Sequence, residues 1–257
     1  MDQTMVRQIL GLSDLLEVKS ALVIEPHPDD NEVGAGATVK EWLDRKVRVV
    51  YLTVTDGRCG TEDPRVSGEE MIETRRRERQ EVNRLLGVQE SYNLGFEDGG
   101  NWSEYQLMAV LVPLIRQFRP ELLMTVDPWT PYESHPDHVK TGKACTAALI
   151  SAKNGVAFKG QGDPHTVPQV AFYGTAYPNT FIDVTSTWDV KIQALLAHHS
   201  QFQEDPASAL YLDFLSAEAE RLFRDHAEHR DDGSGRMEAF KVLAQLQLHF
   251  FPDAIRS

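Results

Sequence analysis

Two short segments of this sequence place histidine and aspartate at spacings that suit a shared metal ion. The first, at 27–30, reads HPDD, and the second, at 135–138, reads HPDH. Across a tight turn, the HxxD spacing lets His27 and Asp30 point at one centre while Asp29 points elsewhere. Alone, the first segment also fits a capped turn that leads into a helix. Because a second segment of the same kind occurs, a shared cation explains both segments better. Such a cation would offset the negative charge of the crowded carboxylates.

Two histidines and one aspartate, with water in the remaining position, match the ligand set of a catalytic zinc ion. Zinc lowers the pKa of such a water to about 7, and a nearby carboxylate can take the proton. Asp29 is the candidate general base. Attack on an amide carbonyl would build an oxyanion, and a protonated His135, ahead of the ligand His138, is the candidate to stabilise it. The same ligand types also describe non-haem Fe(II) oxygenase sites, so they leave the metal open.

The elements that must position these segments alternate between strand and helix. Short apolar and β-branched runs predict strands at 21–26, 47–55, 91–96 and 121–128. Helical spacing of apolar residues predicts helices at 34–46, 67–87, 104–118 and 138–151. This alternation predicts an α/β fold, a doubly wound and mostly parallel sheet with helices on both faces. Both motifs then follow strands, at the carboxyl edge where such sheets bind ligands.

The rest of the chain gives weaker signals. A loop is predicted at 154–168, strands at 170–176 and 180–185, helices at 190–201 and 207–229, and a polar turn at 231–235, followed by an amphipathic C-terminal stretch. Since no repeat or linker interrupts the sequence, we predict a single domain over 1–257.

Composition and charge restrict the partners. With 41% hydrophobic and 25% charged residues, the chain resembles an ordinary globular protein. Its net charge of -13 disfavours nucleic acid and anionic membranes, and fits a neutral or cationic small molecule. Two cysteines, Cys59 and Cys145, predict reduced thiols rather than a disulfide scaffold. Because no signal-peptide pattern or apolar run of about 18 residues occurs, we expect a cytoplasmic protein.

Gly34 and Gly36 suggest a nucleotide site that the surrounding residues do not support. Val39 stands where the dinucleotide fingerprint has its third glycine. The HPDD segment would also put carboxylates where a pyrophosphate should bind. No nucleotide cofactor is therefore expected.

The HPDD and HPDH segments, each after a predicted strand, resemble those of the LmbE-like, or PIG-L, deacetylases. The resemblance extends over nearly the whole chain, through LT at 52–53, DG at 56–57, RxxE at 75–78, LG at 86–87, NLGF at 93–96, DG at 98–99, FIDV at 181–184, Lys191, HHSQ at 198–201 and EAF at 238–240. The EPHPDD and DPWTPYESHPDH sequences are most similar to the diacetylchitobiose deacetylase subgroup.

This resemblance implies a Rossmann-like fold and removal of acetyl groups from N-acetylglucosamine-type substrates, with Zn2+ as cofactor. It implies His27, Asp30 and His138 as zinc ligands. It also implies Asp29 as general base and His135 as the residue that polarises the carbonyl or stabilises the tetrahedral intermediate.

Further residues match family positions outside the metal set. Arg75 and Asp98 match positions that contact the sugar, and His249 is the candidate for a C-terminal histidine that reaches a neighbouring subunit's site. The subgroup implies a homo-oligomer, a trimer or a hexamer. The sequence departs from the family pattern at Asn31. The common family motif is HPDDE, whereas here Asn31 follows HPDD and the glutamate comes one residue later, at Glu32. This puts in doubt any role assigned to a glutamate directly after the motif.

The substrate candidates also have structural explanations. Arg75 can pair with Glu78 on a helix surface, and Asp98 can form a turn in EDGGN. Trp129 and Tyr132 flank the HPDH segment and either stack on a sugar or pack against the protein.

Three functions remain open from the sequence. The first is a zinc hydrolase acting on an N-acetyl amino sugar. The second is a related hydrolase acting on a thiol-glycoside conjugate or an antibiotic precursor. The third is a non-catalytic sugar-binding homologue, which the intact Asp29 and His135 argue against. His198 and His199 can be surface residues of a helix.

Overall fold

The computed structural model describes residues 9–202, 206–227, 234–249, 251 and 254–255. Its strands are β1 (Ser20–Glu25), β2 (Arg48–Thr55), β3 (Glu90–Phe96), β4 (Leu122–Val126), β5 (Gln169–Tyr173), β6 (Thr180–Asp183) and β7 (Met237–Ala244). They form one sheet in the spatial order β3-β2-β1-β4-β5-β7-β6. Strands β1 to β5 pair in parallel, and β7 runs antiparallel to β5 and β6.

Helices cover both faces of this sheet. They are α1 (Asp30–Asp44), α2 (Gly68–Leu86), α3 (Glu104–Phe118), α4 (Pro136–Ala152), α5 (Trp188–Leu196) and α6 (Pro206–His226). Neighbouring residues of β1 face opposite layers, since Val23 packs in a core cluster with Trp42 of α1 and Ile24 in another with Leu107 of α3. Burial on both faces is what a doubly wound sheet requires. The predicted fold class is confirmed.

The caps of α2 lie at 67 and 87, the predicted bounds of that helix. A capping box between Ser67 and Glu70 begins α2, and Gly87 ends it with a φ of 94°. This left-handed conformation favours glycine because it has no Cβ. Helix α3 spans the predicted residues with Pro113 inside it.

Other predictions were incomplete. Helix α1 begins at Asp30 rather than at the predicted residue 34. Its first turn is polar, so the spacing of apolar residues did not indicate it. Helix α5 ends at Leu196 rather than at 201. Most of the turn predicted at 231–235 lies outside the described residues, as do the last residues of the helix predicted at 207–229 and the N-terminal residues 1–8.

Strand β7 was missed within the C-terminal stretch, which was described only as amphipathic. Its charged Glu238 is buried, and its carboxylate accepts hydrogen bonds from Ala37 N at 3.2 Å and Thr38 N at 2.8 Å. Lys191 of α5 donates to the same carboxylate at 2.6 Å. Long-range pairing of this kind, which joins α1 and α5 to the sheet, leaves no mark in the strand's own sequence.

The two glycines that suggested a nucleotide site have a packing role. A Cβ at Gly34 would overlap the ring of Tyr173 in β5, and one at Gly36 would lie 3.3 Å from Lys191 Cγ. Both glycines thus let α1 lie close to its neighbours. Across the described residues, no helix combines the length and apolar character needed to cross a bilayer.

Gly34→Ala should destabilise the fold by about 1–3 kcal/mol, because the new methyl group overpacks a buried ring. The measurement is the free energy of unfolding from denaturant titration. Gly155→Ala is the matched control, since its Cβ would lie in ordinary contact 3.7 Å from Pro164 Cγ, and it should change stability by less than about 0.5 kcal/mol. Equal effects of the two substitutions would contradict the close-packing role.

Candidate metal centre and catalytic cavity

The two histidine-aspartate segments lie side by side because β1 and β4 are parallel neighbours in the sheet. The HPDD segment directly follows β1, and HPDH opens α4 after a loop that leaves β4. Parallel neighbours end at the same edge, so residues far apart in the chain meet there. The ring centroids of His27 and His138 are 5.3 Å apart.

The carboxylate of Asp30 lies between these two imidazoles. One oxygen is 3.2 Å from His27 Nδ1, and the other is 3.4 Å from His138 Nε2. The backbone N–H of His27 donates to Asp30 at 2.8 Å and fixes the carboxylate. The structure thus brings together the three residues predicted as metal ligands.

These residues fit a zinc ion. Imidazole nitrogen and carboxylate oxygen are both zinc ligands, so the donor set suits this ion. Asp30 uses a different carboxylate oxygen towards each of the two histidines. His135 is a further neighbour, since its ligand atom and those of His27 and His138 all lie within 4.8 Å of one another.

The opposite edge of the His27 ring faces a second pair of carboxylates. Its Nε2 lies 3.3 Å from Asp98 and 3.6 Å from Asp137. The nitrogen is buried, yet it has no hydrogen bond of good geometry within the described part of the chain. His27, Asp98 and Asp137 are themselves close enough to hold an ion. The geometry therefore offers two arrangements that share His27.

Electrostatics at this edge reflect crowded negative charge. Burial lowers the pKa of His27, but contacts with Asp137, Asp30 and Asp98 outweigh it and raise that pKa to about 12. Burial would raise the pKa of Asp30, but His27 overcomes it and lowers that pKa to about 2. A proton and a metal ion therefore compete for the same imidazole, because both neutralise these carboxylates.

Asp29 takes the N-cap position of α1 but makes no capping hydrogen bond. The alternative of an ordinary capped turn therefore lacks its defining contact. The backbone of Asp29 has a φ of 157°, which is rare for a residue with a Cβ. Its carboxylate lies 3.2 Å from Nη2 of Arg75. Burial raises the pKa of Asp29, with Arg75 acting in the opposite direction.

His135 stands at the N-cap of α4 with its ring edge-on to His27, at a centroid distance of 4.6 Å. Its Nδ1 accepts a hydrogen bond from the backbone N–H of Asp137 at 3.3 Å. Burial, followed by the nearby rings of His27 and His138, lowers its pKa. A neutral ring with its proton on Nε2 fits these contacts better than the protonated imidazole that the sequence suggested.

A cavity of about 230 Å³ opens beside these groups. It is lined by His27, Asp29, Gly57, Cys59, Gly60, Arg75, Asp98, His135 and Gln201. Two residues predicted to contact the sugar, Arg75 and Asp98, therefore line the cavity. Arg75 is buried and does not take the helix-surface role that was its alternative. The alternative for Asp98 was a turn, and its carboxylate accepts a hydrogen bond from the backbone of Cys59 in another loop.

The other three predicted substrate contacts do not line this cavity. Trp129 lies against a separate cavity of about 370 Å³ with Phe172 and Tyr177. Tyr132 is fully exposed. His249 is exposed and directly follows a 3-10 turn at Gln245–Leu248. Within one chain, the geometry therefore supports the sugar-contact prediction only for the residues near the metal edge.

Sequence reasoning missed two groups beside the site. Glu133 lies 3.1 Å from His138 Nδ1. In the sequence, only its position shortly before the HPDH segment could have indicated this contact. His198, which was allowed as a surface residue, is completely buried and contacts Glu32 at 3.1 Å, whereas His199 is exposed. Adjacent histidines at a helix end do not reveal which one faces inward.

Both cysteines are free thiols, as predicted, with Cys59 exposed and Cys145 buried. Cys59 belongs to the cavity wall, where its backbone N–H donates to Asp98 at 3.0 Å. The contact fixes the loop after β2 against the loop after β3.

The chain is similar to known proteins. The family model described as PIG-L, GlcNAc-PI de-N-acetylase, matches residues 22–149. Over 193 residues the chain is 39% identical to diacetylchitobiose deacetylase from Thermococcus kodakarensis, covering 74% of this chain and 72% of that protein. Over 178 residues it is 32% identical to mycothiol S-conjugate amidase from Streptomyces coelicolor, covering 61% and 57%.

A solved structure extends the likeness to the whole fold. N,N'-diacetylchitobiose deacetylase from Pyrococcus horikoshii, complexed with its inhibitor MPG, has a TM-score of 0.87 and 31% identity, covering 97% of this chain and 94% of that one. The family match includes both histidine-aspartate segments. The chain therefore belongs to the PIG-L, or LmbE-like, family of metal-dependent N-deacetylases.

Proposed function

We propose that this protein is a zinc-dependent hydrolase that removes the N-acetyl group from an N-acetylglucosamine-containing substrate such as diacetylchitobiose or N-acetylglucosamine. The observation that carries the proposal is a cavity that His27, Asp29, Arg75 and His135 line together. His27 also contacts Asp30, which in turn contacts His138, and Arg75 holds Asp29. The similarity to diacetylchitobiose deacetylases supports the substrate class.

His27, Asp30 and His138 would hold the zinc ion. When bound, the ion supplies a Lewis acid that activates water and polarises the acetyl carbonyl. Arranging the ligands is the work of the chain itself, since the backbone N–H of His27 fixes Asp30. The second arrangement, with Asp98 and Asp137, has one imidazole against two carboxylates and suits zinc less well.

Asp29 acts as the general base. It takes a proton from the attacking water and then returns it to the departing amine. Burial raises the pKa of Asp29 towards neutral pH, and a general base is most effective when its pKa is close to the working pH. An ion pair with Arg75 keeps the carboxylate in place, and a hydrogen bond from Nη2 of Arg75 to Pro28 O anchors the guanidinium.

His135 donates a hydrogen bond to the oxyanion as the carbonyl becomes tetrahedral. Because its Nδ1 accepts from the backbone of Asp137, the proton of the neutral ring is on Nε2 and can be directed at the substrate. A donor fixed in this way stabilises the charge where it develops.

Arg75 and Asp98 bind the sugar. Arg75 is buried, and its Nε and Nη1 have no hydrogen-bond partner among the described residues. Unpartnered buried donors are costly, so a ligand oxygen in the cavity would compensate them. Trp129, Tyr132 and His249 can contact only a longer substrate or a neighbouring subunit in a homo-oligomer. That assembly, the cytoplasmic location and the single domain over 1–257 remain predictions.

A second candidate substrate is a thiol-glycoside conjugate. The similarity to mycothiol S-conjugate amidase favours it, and the metal chemistry would be unchanged. The experiment that separates the candidates is a panel of diacetylchitobiose, N-acetylglucosamine and a mycothiol conjugate, each with and without chelator. Zinc-loaded protein that hydrolyses no N-acetyl sugar would refute the first assignment.

Substitution of Asp30 by Ala should weaken zinc binding by more than about a hundredfold, because it removes a direct ligand. Asp98→Asn should weaken it by only about tenfold, because Asp98 touches the far edge of the His27 ring. Zinc dissociation constants come from competition with a chromogenic chelator. If Asp98→Asn has the larger effect, the ion belongs on the side of Asp98 and Asp137.

Asp29→Asn should lower kcat by about 10²–10⁴-fold because the amide cannot accept a proton. Zinc content, measured by elemental analysis, should stay near that of the wild type. Glu97→Gln is the control, since Glu97 is an exposed carboxylate that pairs with Arg58 and touches none of the proposed catalytic groups. Activity of Asp29→Asn near the wild-type level would remove Asp29 as the base.

A further inference from the structure

Glu133 contacts both halves of the HPDH segment from the loop that precedes it. Its Oε2 lies 3.1 Å from His138 Nδ1, and its Oε1 accepts the backbone N–H of His135 at 2.7 Å. The side chain is 24% exposed, so it is partly shielded from water. One carboxylate therefore fixes an imidazole ring and the backbone next to it.

We propose that Glu133 is the positioning residue that prepares His138 to bind the metal through Nε2. By accepting the Nδ1–H, it places the proton of the neutral ring on Nδ1 and leaves the Nε2 lone pair free. Nε2 is the nitrogen that faces Asp30. The inference rests on the proposed ligand set, not on the identity of the substrate.

Hydrogen bonds within the loop hold Glu133 in place. The backbone N–H of Glu133 donates to Thr130 O at 3.2 Å, and the Thr130 hydroxyl donates to Gly174 O after β5. The backbone N–H of Trp129 donates to Asp127 at 2.9 Å. Glu133 is thus fixed by its own loop before any ion binds, as preorganisation of a ligand requires.

The His27 ring shows a related arrangement. Its Nε2 edge faces Asp98 and Asp137, while Nδ1 faces Asp30. On both rings a carboxylate lies near the nitrogen that points away from Asp30, but only the contact between Glu133 and His138 is a hydrogen bond of good geometry. A carboxylate-histidine pair of that kind fixes ring orientation and makes the imidazole a better donor to the metal.

Glu133→Gln is the sharpest test because it keeps the shape and the loop. A carboxylate can accept both N–H groups at once, whereas glutamine has one acceptor oxygen and turns its NH2 group towards the other donor. We expect zinc affinity to fall by about 10- to 100-fold in Glu133→Gln and Glu133→Ala. Glu97→Gln, which also removes one nearby negative charge, should stay within about twofold of the wild type.

Two readouts separate positioning from a merely structural role. The zinc dissociation constant is measured by chelator competition, with thermal unfolding in parallel to show that each variant is folded. In zinc-loaded, 15N-histidine-labelled protein, the His138 Nδ1–H should give a protected proton signal that is lost in Glu133→Ala. Wild-type zinc affinity in Glu133→Gln, or an unchanged Nδ1–H signal in Glu133→Ala, would overturn the proposal. Neither measurement uses turnover, so an incorrect substrate assignment would not affect them.

Discussion

The arrangement of the candidate site depends on the repulsion among carboxylates that surround one imidazole at the carboxyl edge of the sheet. The carboxylates of Asp30, Asp98 and Asp137 lie 3.2 to 3.6 Å from the ring nitrogens of His27. Carboxylates this close repel one another unless a proton or a cation neutralises them. A divalent ion supplies more charge than a proton on His27, so metal binding relieves the repulsion more fully and releases that proton. The zinc ion that we propose at this edge would therefore offset the charge repulsion within the cluster.

A second, buried network of charged residues holds the first turn of α1 against the sheet next to this edge. Arg79 of α2 is buried and donates to Glu25 at the end of β1 and to Glu32 in α1. Burial raises the pKa of Glu25 to about 8, while Arg79 and His198 overcome burial and lower that of Glu32 to about 2. Both carboxylates share the one guanidinium group of Arg79. Removing a partner from such a buried network typically costs about 3–5 kcal/mol. The start of α1, and with it Asp30, is therefore fixed to the sheet.

Sequence patterns predicted the parts of the molecule that local chemistry determines. Apolar runs located β1 to β4, and apolar residues at helical spacing located both ends of α2. Because both motifs follow strands, His27, Asp30 and His138 were predicted to meet at one edge of the sheet. Long-range contacts were beyond such patterns, as for β7, whose charged Glu238 is satisfied by Lys191 from α5. The displaced Glu32 behaves in the same way, because it faces Arg79 and His198 rather than the cavity. Tertiary partners, rather than propensity, decide where such residues go.

The residues proposed to act on the acetyl group and those that form the rest of the cavity wall come from different parts of the fold. The first group follows β1 and β4, whose parallel pairing fixes their separation. The wall is made by Gly57 and Cys59 after β2, Asp98 after β3 and Gln201 after α5. Loops of this kind can change in shape and composition without moving the strand ends. The strand ends can therefore keep one set of proposed catalytic residues while the surrounding loops change which substrate the cavity accepts.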